Sequence, residues 1–443
     1  MKILKDAAAV NSCIKPQTKK EQPVNKAEVT PDIEVPLHEF AHPSDFLAEF
    51  LIRRYGGEKY GASAKPAGPR VVLVGRGGYD EHDPANLPDP EVLECEATLA
   101  ARDLGVRDLP ELQSLLTYIL MADRRGKGKG LLQFARVAER LNAVYPDQPW
   151  RVKRFAEVMF EATIEYEASR SNGIAPLVST EVVSYLMRQA YAKVAEEYQL
   201  AARLRLEDVI RPWFEAEELD IKPFGLADCI RLLWLKFGRF RWGEHSVVNW
   251  AADAFRAELK WQEEYLAARR ECDQLAEDGQ IDEVAMTVRG KGVIAYLVRS
   301  DSPRVHSYLL SRDFSTSSEV GVVAVRRSNG NVQIFPRRAR LLVRLNLEFV
   351  IAFLRDRERG KRGHREPATW AELTAAQGPR GGECWFFYLP PQWIFNGAKS
   401  AEVEPTLLSD SELLRCIEQG LDDACAEFRR QFRRRHSSES VRK

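Results

Sequence analysis

The residues best suited to chemistry lie on one turn. Val74-Gly-Arg-Gly-Gly-Tyr-Asp80-Glu81-His82-Asp83 follows the short apolar run Arg70-Val-Val-Leu-Val74 and carries three carboxylates and an imidazole. Oxygen donors with one imidazole suit a divalent cation, and open α/β sheets gather such ligands at strand carboxyl ends. The glycines beside Arg76, Gly77 among them, let the backbone come close to a phosphate. They are not a dinucleotide fingerprint, because Asp80 stands where the third glycine would fall. Taken alone, the Asp-Glu-His run also reads as a solvated acidic turn. Other candidates flank it. His38, His42 and Asp45 lie upstream, and Asp123 downstream meets a basic turn in which Lys127 and Lys129 could hold phosphate. That turn lacks the spacing of a P-loop.

The elements that must position these residues divide the chain by texture. Residues 1–34 are polar and read as a disordered leader. From 35 to 123 the pattern is α/β. It has a strand near Glu34–Leu37, a helix Asp45–Tyr55 capped by Ser44 and stopped by Gly56-Gly57, and a buried strand Arg70–Val74. Helices at Glu91–Leu104, ended by Gly105, and at Pro110–Met121 follow. Residues 124–280 are helical and contain a faint repeat. Phe134-Ala135, Leu141 and Tyr145 recur 92 positions later as Leu226-Ala227, Leu233 and Phe237. Val152, Phe155-Ala156, Phe160, Ala162 and Ile164 recur 95 positions later as Val247, Trp250-Ala251, Phe255, Ala257 and Leu259. Two similar helix pairs with a three-residue insertion would produce this, and so would the shared spacing of any two amphipathic helices.

From 281 to 428 the texture turns to strands: Val284–Val288, Gly292–Val298, Val305–Leu310, Gly321–Val325 and Val332–Phe335. Ser328-Asn-Gly-Asn331 is a turn, Asn346–Arg359 a helix, Trp385–Leu389 a strand and Asp410–Arg429 a closing helix. Residues 429–443 read as a basic tail: Arg429–His436 is the basic end of a helix and the rest is frayed, solvated or else in contact with nucleic acid. The expected fold is α/β: an N-terminal parallel-sheet domain, a helical middle segment and a C-terminal α+β domain.

The order His42, Asp45, the Asp80-Glu81-His82 triplet and Asp123 resembles the DHH phosphoesterase superfamily, in its melanocyte-proliferating-gene-like branch. Cys95-Glu-Ala97, Asn331-Val-Gln-Ile-Phe335 and Phe353-Leu-Arg355-Asp-Arg-Glu358 extend the likeness. So do Trp385-Phe-Phe-Tyr388, Phe395-Asn-Gly-Ala398 and Pro405-Thr-Leu with Ser409. The likeness is diffuse over most of residues 35–420. It implies a DHH-like N-terminal domain and two manganese ions that activate water against a phosphoester. His42, Asp45, Glu81 and Asp123 would hold metal, and Asp80, Glu81 and His82 would form the catalytic triplet. The sequence departs from this pattern. Leu47 replaces the second motif-one Asp, Gly75 stands at the position of the bridging Asp, Glu81 replaces a histidine, and His42 is one residue too close to Asp45. At best one ion, manganese by resemblance, survives. Any activity would be that of a metal-dependent phosphodiesterase or exonuclease, reduced or lost. The rival is a non-catalytic nucleic-acid-binding or nucleotide-binding scaffold.

Composition agrees with a soluble chain: 44% hydrophobic, 29% charged, and 65 basic against 65 acidic residues. That neutrality excludes a uniformly cationic coat but hides segregation. Gly78–Asp123 has eleven acids against two arginines, net −9, and Arg289–Glu366 has seventeen bases against seven acids, net +10. Arg337, Arg338 and Arg340 in the basic block are candidate phosphate ligands, and pairing with the acidic block is the alternative. Seven scattered cysteines without a C-x-x-C pair point to a reducing, cytoplasmic setting. No run is long enough for a membrane span. Nucleic acid or a nucleotide is the expected partner, and a homodimer is compatible.

Overall fold

A computed structural model describes residues 33–34, 41–56, 70–71, 74, 93–126, 132–174, 177–198, 222–311, 314, 320–337, 345–388, 392–397 and 403–437. The chain is of mixed α and β class. Strand β1 (Ile33–Glu34) pairs in parallel with β2 (Arg70–Val71), and α1 (Pro43–Tyr55) lies between them in sequence. Proline at the first helical position has its φ preset and lacks only an N–H that would have no intrahelical partner. The cap of α1 is His42 rather than the expected Ser44. The His42 backbone N–H donates to Asp45 Oδ2 at 2.7 Å, and Ser44 is buried within the first turn. Helix α2 (Glu96–Asp103) starts later than expected, at a turn where the Cys95 N–H donates to Thr98 Oγ1. Gly105, at φ +70°, follows it as read from the sequence.

Helices α3 (Pro110–Arg125), α4 (Phe134–Val144) and α5 (Pro149–Ser171) are followed by α6 (Thr180–Glu197), α7 (Leu226–Phe237) and α8 (Gly243–Glu277). The sequence repeat falls on α4–α5 and α7–α8, and the structure extends it by one helix. Buried Leu112, Leu115, Leu116 and Ile119 of α3 recur 71 positions later as buried Val183, Leu186, Met187 and Ala190 of α6. The two three-helix units clasp each other, α4 against α8 and α7 against α5. Equivalent residues meet where they cross. Gln133 bridges Gly225, next to Leu132 and Phe224, which both adopt positive φ. Phe155 stacks on Trp250 at 4.2 Å, and the Trp250 indole N–H donates to the Phe155 carbonyl at 3.0 Å. Self-contact between equivalent residues is what an approximate two-fold axis produces.

One apolar core runs from Ala41 to Leu259, so α1–α3 and the repeated helices share it. The expected boundary between residues 123 and 124 falls inside α3.

The C-terminal part is a six-stranded sheet of β3 (Asp282–Val288), β4 (Lys291–Arg299), β5 (Val320–Arg326), β6 (Val332–Pro336), β7 (Trp385–Tyr388) and β8 (Trp393–Asn396), ordered 3-4-5-6-8-7. All neighbours are antiparallel except β4 and β5. Between these two lies α9 (Val305–Leu309), where a strand was expected. Val305, Tyr308 and Leu309 are buried, at the spacing of one helical face, so burial overrides the β-branched start. Alternate residues of β5 serve two cores. Val322 and Ala324 face α10 (Glu348–Lys361) and its neighbours, while Val323 and Val325 face α9 and the end of α8. The expected single closing helix is two, α12 (Asp410–Leu421) and α13 (Ala426–Arg435), broken at Asp422. Asp422 leaves the helical region (ψ 131°) and its side chain accepts the Ala424 N–H. The basic stretch Arg429–His436, expected as the end of a helix, continues α13 to Arg435 with His436 as its cap, and its packing replaces the expected solvated tail there. Phe432 and His436 are buried, with His436 bonded to the backbone of Ala368 and Trp370. Helix α11 (Trp370–Thr374), capped by Thr369, packs against α10.

His306 on α9 stacks on Phe335 at 3.8 Å. Burial, aided by the Arg304 and Arg327 charges, pushes its pKa down to about 3. An unfolded chain protonates this ring at its ordinary value while the folded chain keeps it neutral. Stability from the neutral ring is therefore intact above the ordinary value and is lost as pH falls from there toward 3. His306→Phe is expected to flatten the acid limb of the unfolding free energy by about 1.4 kcal/mol per pH unit in that window. Parallel limbs in urea titrations of the two proteins would refute this.

Candidate functional site

Three expected metal ligands are described. His42 and Asp45 sit at the start of α1, and Asp123 sits in the last turn of α3. Asp45 is fully buried, and one of its oxygens accepts the His42 N–H. The His42 ring points toward Glu139, with Nδ1 3.8 Å from its carboxylate. Asp123 lies close enough to Cys95 that, after burial, its charge is the largest influence raising the thiol pKa. Leu47, at the position of the second motif-one carboxylate, is buried in the core. Among the described residues no group of three His, Cys, Asp or Glu side chains could hold a metal ion. Glu81, with Asp80, His82, Arg76, Gly77, Lys127, Lys129, Arg338 and Arg340, lies outside the described residues. Leu47 offers no oxygen and Asp45 shares its carboxylate with the helix cap, so this donor set does not fit a metal pair.

Among the described residues of the basic block, several arginines are engaged within the protein. Arg337 donates to the Val320 carbonyl, and its own N–H bonds Gly321. Arg326 bonds Asp410 and the Leu408 carbonyl, and Arg327 bonds the carbonyls of Ser300 and Ser302. Burial tends to raise the Asp410 pKa, but hydrogen bonds from Arg299 and Arg326 outweigh it and hold the carboxyl below its usual range. These arginines line a polar cleft with Ser328 and Ser409, already neutralised in part by Asp410.

The motifs of the C-terminal resemblance converge on one face of α10. Arg355, wholly buried, donates to the carbonyls of Leu373, Ala375, Ala376 and Trp385. Burial pushes its pKa down to about 10, which leaves it charged at neutral pH. Gly378 and Gly382 make room for it, since a Cβ at either position would crowd its side chain. One turn on, buried Glu358 accepts from the Trp385 indole, the Thr406 hydroxyl, the Leu407 N–H and Arg362. Asn396 completes the arrangement. Its amide donates to the carbonyls of Cys384 and Glu404 and accepts the Thr406 N–H. All of these groups are paired within the protein, so the network holds loops together and presents no open chemistry.

A feature not read from the sequence lies at the two-fold contact. Trp150, Arg151, Phe155, Phe237, Trp242 and Trp250 line a groove of about 290 Å³ between α5 and α8. Its signal was the alternation of aromatic residues and arginine in Phe237-Gly-Arg-Phe-Arg-Trp242.

Comparison with family models, with curated proteins and with solved structures finds no match. No described helix is long and apolar enough to cross a membrane.

Arg355→Leu is expected to cost about 3 kcal/mol, because several carbonyls lose their donor inside the core. Arg355→Lys should not restore it, since an ammonium cannot span the same carbonyls. Thermal unfolding that matches the parent for either variant would contradict this. With a chelator present, Asp45→Ala should cost about 1 kcal/mol by loss of its contact with the cap. A loss seen only with added metal would show that the role of Asp45 is ligation.

Proposed function

We propose that the chain is a divergent DHH-type phosphoesterase-like protein that acts on or binds the phosphates of nucleic acid or nucleotides. The supporting observation is the parallel pairing of β1 with β2 on either side of α1. Neighbouring parallel strands send the segments that follow them to one edge, where ligands collect in open α/β sheets. His42 and Asp45 follow β1, and Arg76–Asp83 follows β2. With Leu47 and Gly75 in place of two carboxylates, one divalent ion on Asp45, Glu81 and Asp123 is the most this reading allows. Such an ion supplies charge for the phosphoryl oxygens and a more acidic water. Asp80 and His82 are the side chains this reading assigns to the transferring proton and the phosphate.

In the presence of manganese the purified protein should hydrolyse bis(p-nitrophenyl) phosphate or short oligonucleotides, and Asp123→Ala should remove that turnover. Elemental analysis should find about one manganese per chain. Turnover equal in the parent and the variant would sink the catalytic reading.

A second reading, binding without catalysis, is favoured by the use of Asp45 as an acceptor in the α1 cap and by the burial of Leu47 in the core. It expects oligonucleotide binding that weakens with salt and is indifferent to a chelator.

A further inference from the structure

We infer that the groove between the N-terminal halves of α5 and α8 docks an acidic peptide segment of a partner protein, anchored by an aromatic or leucine side chain. Its floor is apolar, with Phe155, Leu233, Phe237 and Val247, and two tryptophans stand at its rim. Trp150 is 66% exposed, Trp242 52% and the adjacent Phe240 39%. Exposed tryptophan beside arginine around a concave apolar floor is the make-up of interface hot spots.

In the first unit α4 passes to α5 through Tyr145-Pro-Asp-Gln148. The second unit makes the same passage through Gly238-Arg-Phe-Arg-Trp242. Between the matched positions, Tyr145 to Val152 and Phe237 to Val247, it has nine residues against six, as the change of offset from 92 to 95 records. The longer turn is nonetheless tightly built. A Cβ on Gly238 would lie 2.6 Å from the Trp234 ring, and one on Gly243 would lie 1.9 Å from the Phe237 carbonyl oxygen. The Phe240 N–H bonds the Phe237 carbonyl at 2.8 Å, and the Gly243 N–H bonds that of Phe240 at 2.9 Å. Phe240 and Trp242 lie parallel at 5.0 Å, with the Arg239 guanidinium over Phe240. The turn holds its aromatic residues ready, which lowers the entropy lost on binding.

Charge selects the occupant. Arg239 and Arg241 are exposed and form no ion pair with a described residue. On the opposite wall Arg151 is paired with Asp253, and Arg154 lies within 4 Å of Glu157 and Glu161, so the free positive charge is that of Arg239 and Arg241. Most nearby acids are paired with cations: Asp253 with Arg151 and Arg256, and Glu161 and Glu165 with Lys236; Glu244 accepts the Tyr185 hydroxyl and keeps its charge. A positive rim around an apolar floor fits a negatively charged segment with an apolar anchor. Single-stranded nucleic acid stacks on open aromatic faces, whereas this floor is concave and partly aliphatic, which favours a peptide.

The test is selection of a displayed random dodecapeptide library on the full chain in the presence of a chelator, which makes the outcome independent of any metal site. Enriched peptides should carry aspartate and glutamate around a tryptophan, phenylalanine or leucine. Synthetic copies should bind at least tenfold more weakly to Trp242→Ala and to the double variant Arg239→Glu/Arg241→Glu. These substitutions are at the surface, and circular dichroism should show unchanged folding. If Trp242→Ala does disturb folding, the double charge reversal carries the test alone. Peptides that bind the variants as well as the parent would overturn the inference, as would enrichment of basic or uncharged peptides. Binding of labelled oligothymidylate lost in the same variants, without variant-sensitive peptides, would overturn it in favour of nucleic acid.

Discussion

Helix α8 has to satisfy two cores at once, and the rest of the fold is arranged around that constraint. Its first half, through Trp250, Phe255 and Leu259, belongs to the helical core, and Cys272 near its end belongs to the core beneath the C-terminal sheet. The changeover occurs at Glu258 and Trp261. Glu258 is buried and paired with Arg140 and Arg136, and both guanidinium groups lie over the Trp261 ring, Arg140 at 4.1 Å. Burial pushes the pKa of Arg140 down to about 9 against the pull of Glu258. Arg304, from the segment leading into α9, joins the same ring and pairs with Glu264. A single ion-pair and aromatic cluster thus ties the start of the C-terminal part to the end of the helical core. Removing either charge there would leave the other buried and uncompensated.

Arginine is used for construction in the C-terminal part. Its five donors in a fixed plane can satisfy several carbonyls that helix and sheet leave unpaired, which lysine cannot do. Arg355, Arg326 and Arg327 each gather carbonyls from loops that lack regular partners. A net charge of +10 over this block therefore overstates what is free to meet a polyanion.

What the sequence made legible follows from how local each signal is. Helix α1, strands β3 to β6 and the Ser328–Asn331 turn rest on neighbouring residues and stand where they were expected. Val305–Leu309 was misread because its helical form depends on burial against α8, which no local pattern carries. The two-helix repeat was visible in apolar spacing. Its third helix was not, because the connection before α7 is much longer than the one before α4 and shifts the offset. At the candidate site, residue types were readable but partners were not. Nothing in the sequence signals that Asp45 serves the His42 N–H, or that the Arg355-to-Glu358 motif closes on Asn396 and Thr406.

Two like units that clasp each other within one chain amount to a homodimer with a covalent linker. Association that would otherwise depend on concentration becomes intramolecular, so the clasp holds at any dilution. The linkage also frees the halves from identity. A change in a true homodimer appears twice, on both sides of the axis, whereas here Arg239 and Arg241 appear once, with Asp147 and Pro149 standing 92 positions before them. The three extra residues of the second turn give a nearly symmetric body a front and a back, and a body with a front can hold a single partner in a single orientation.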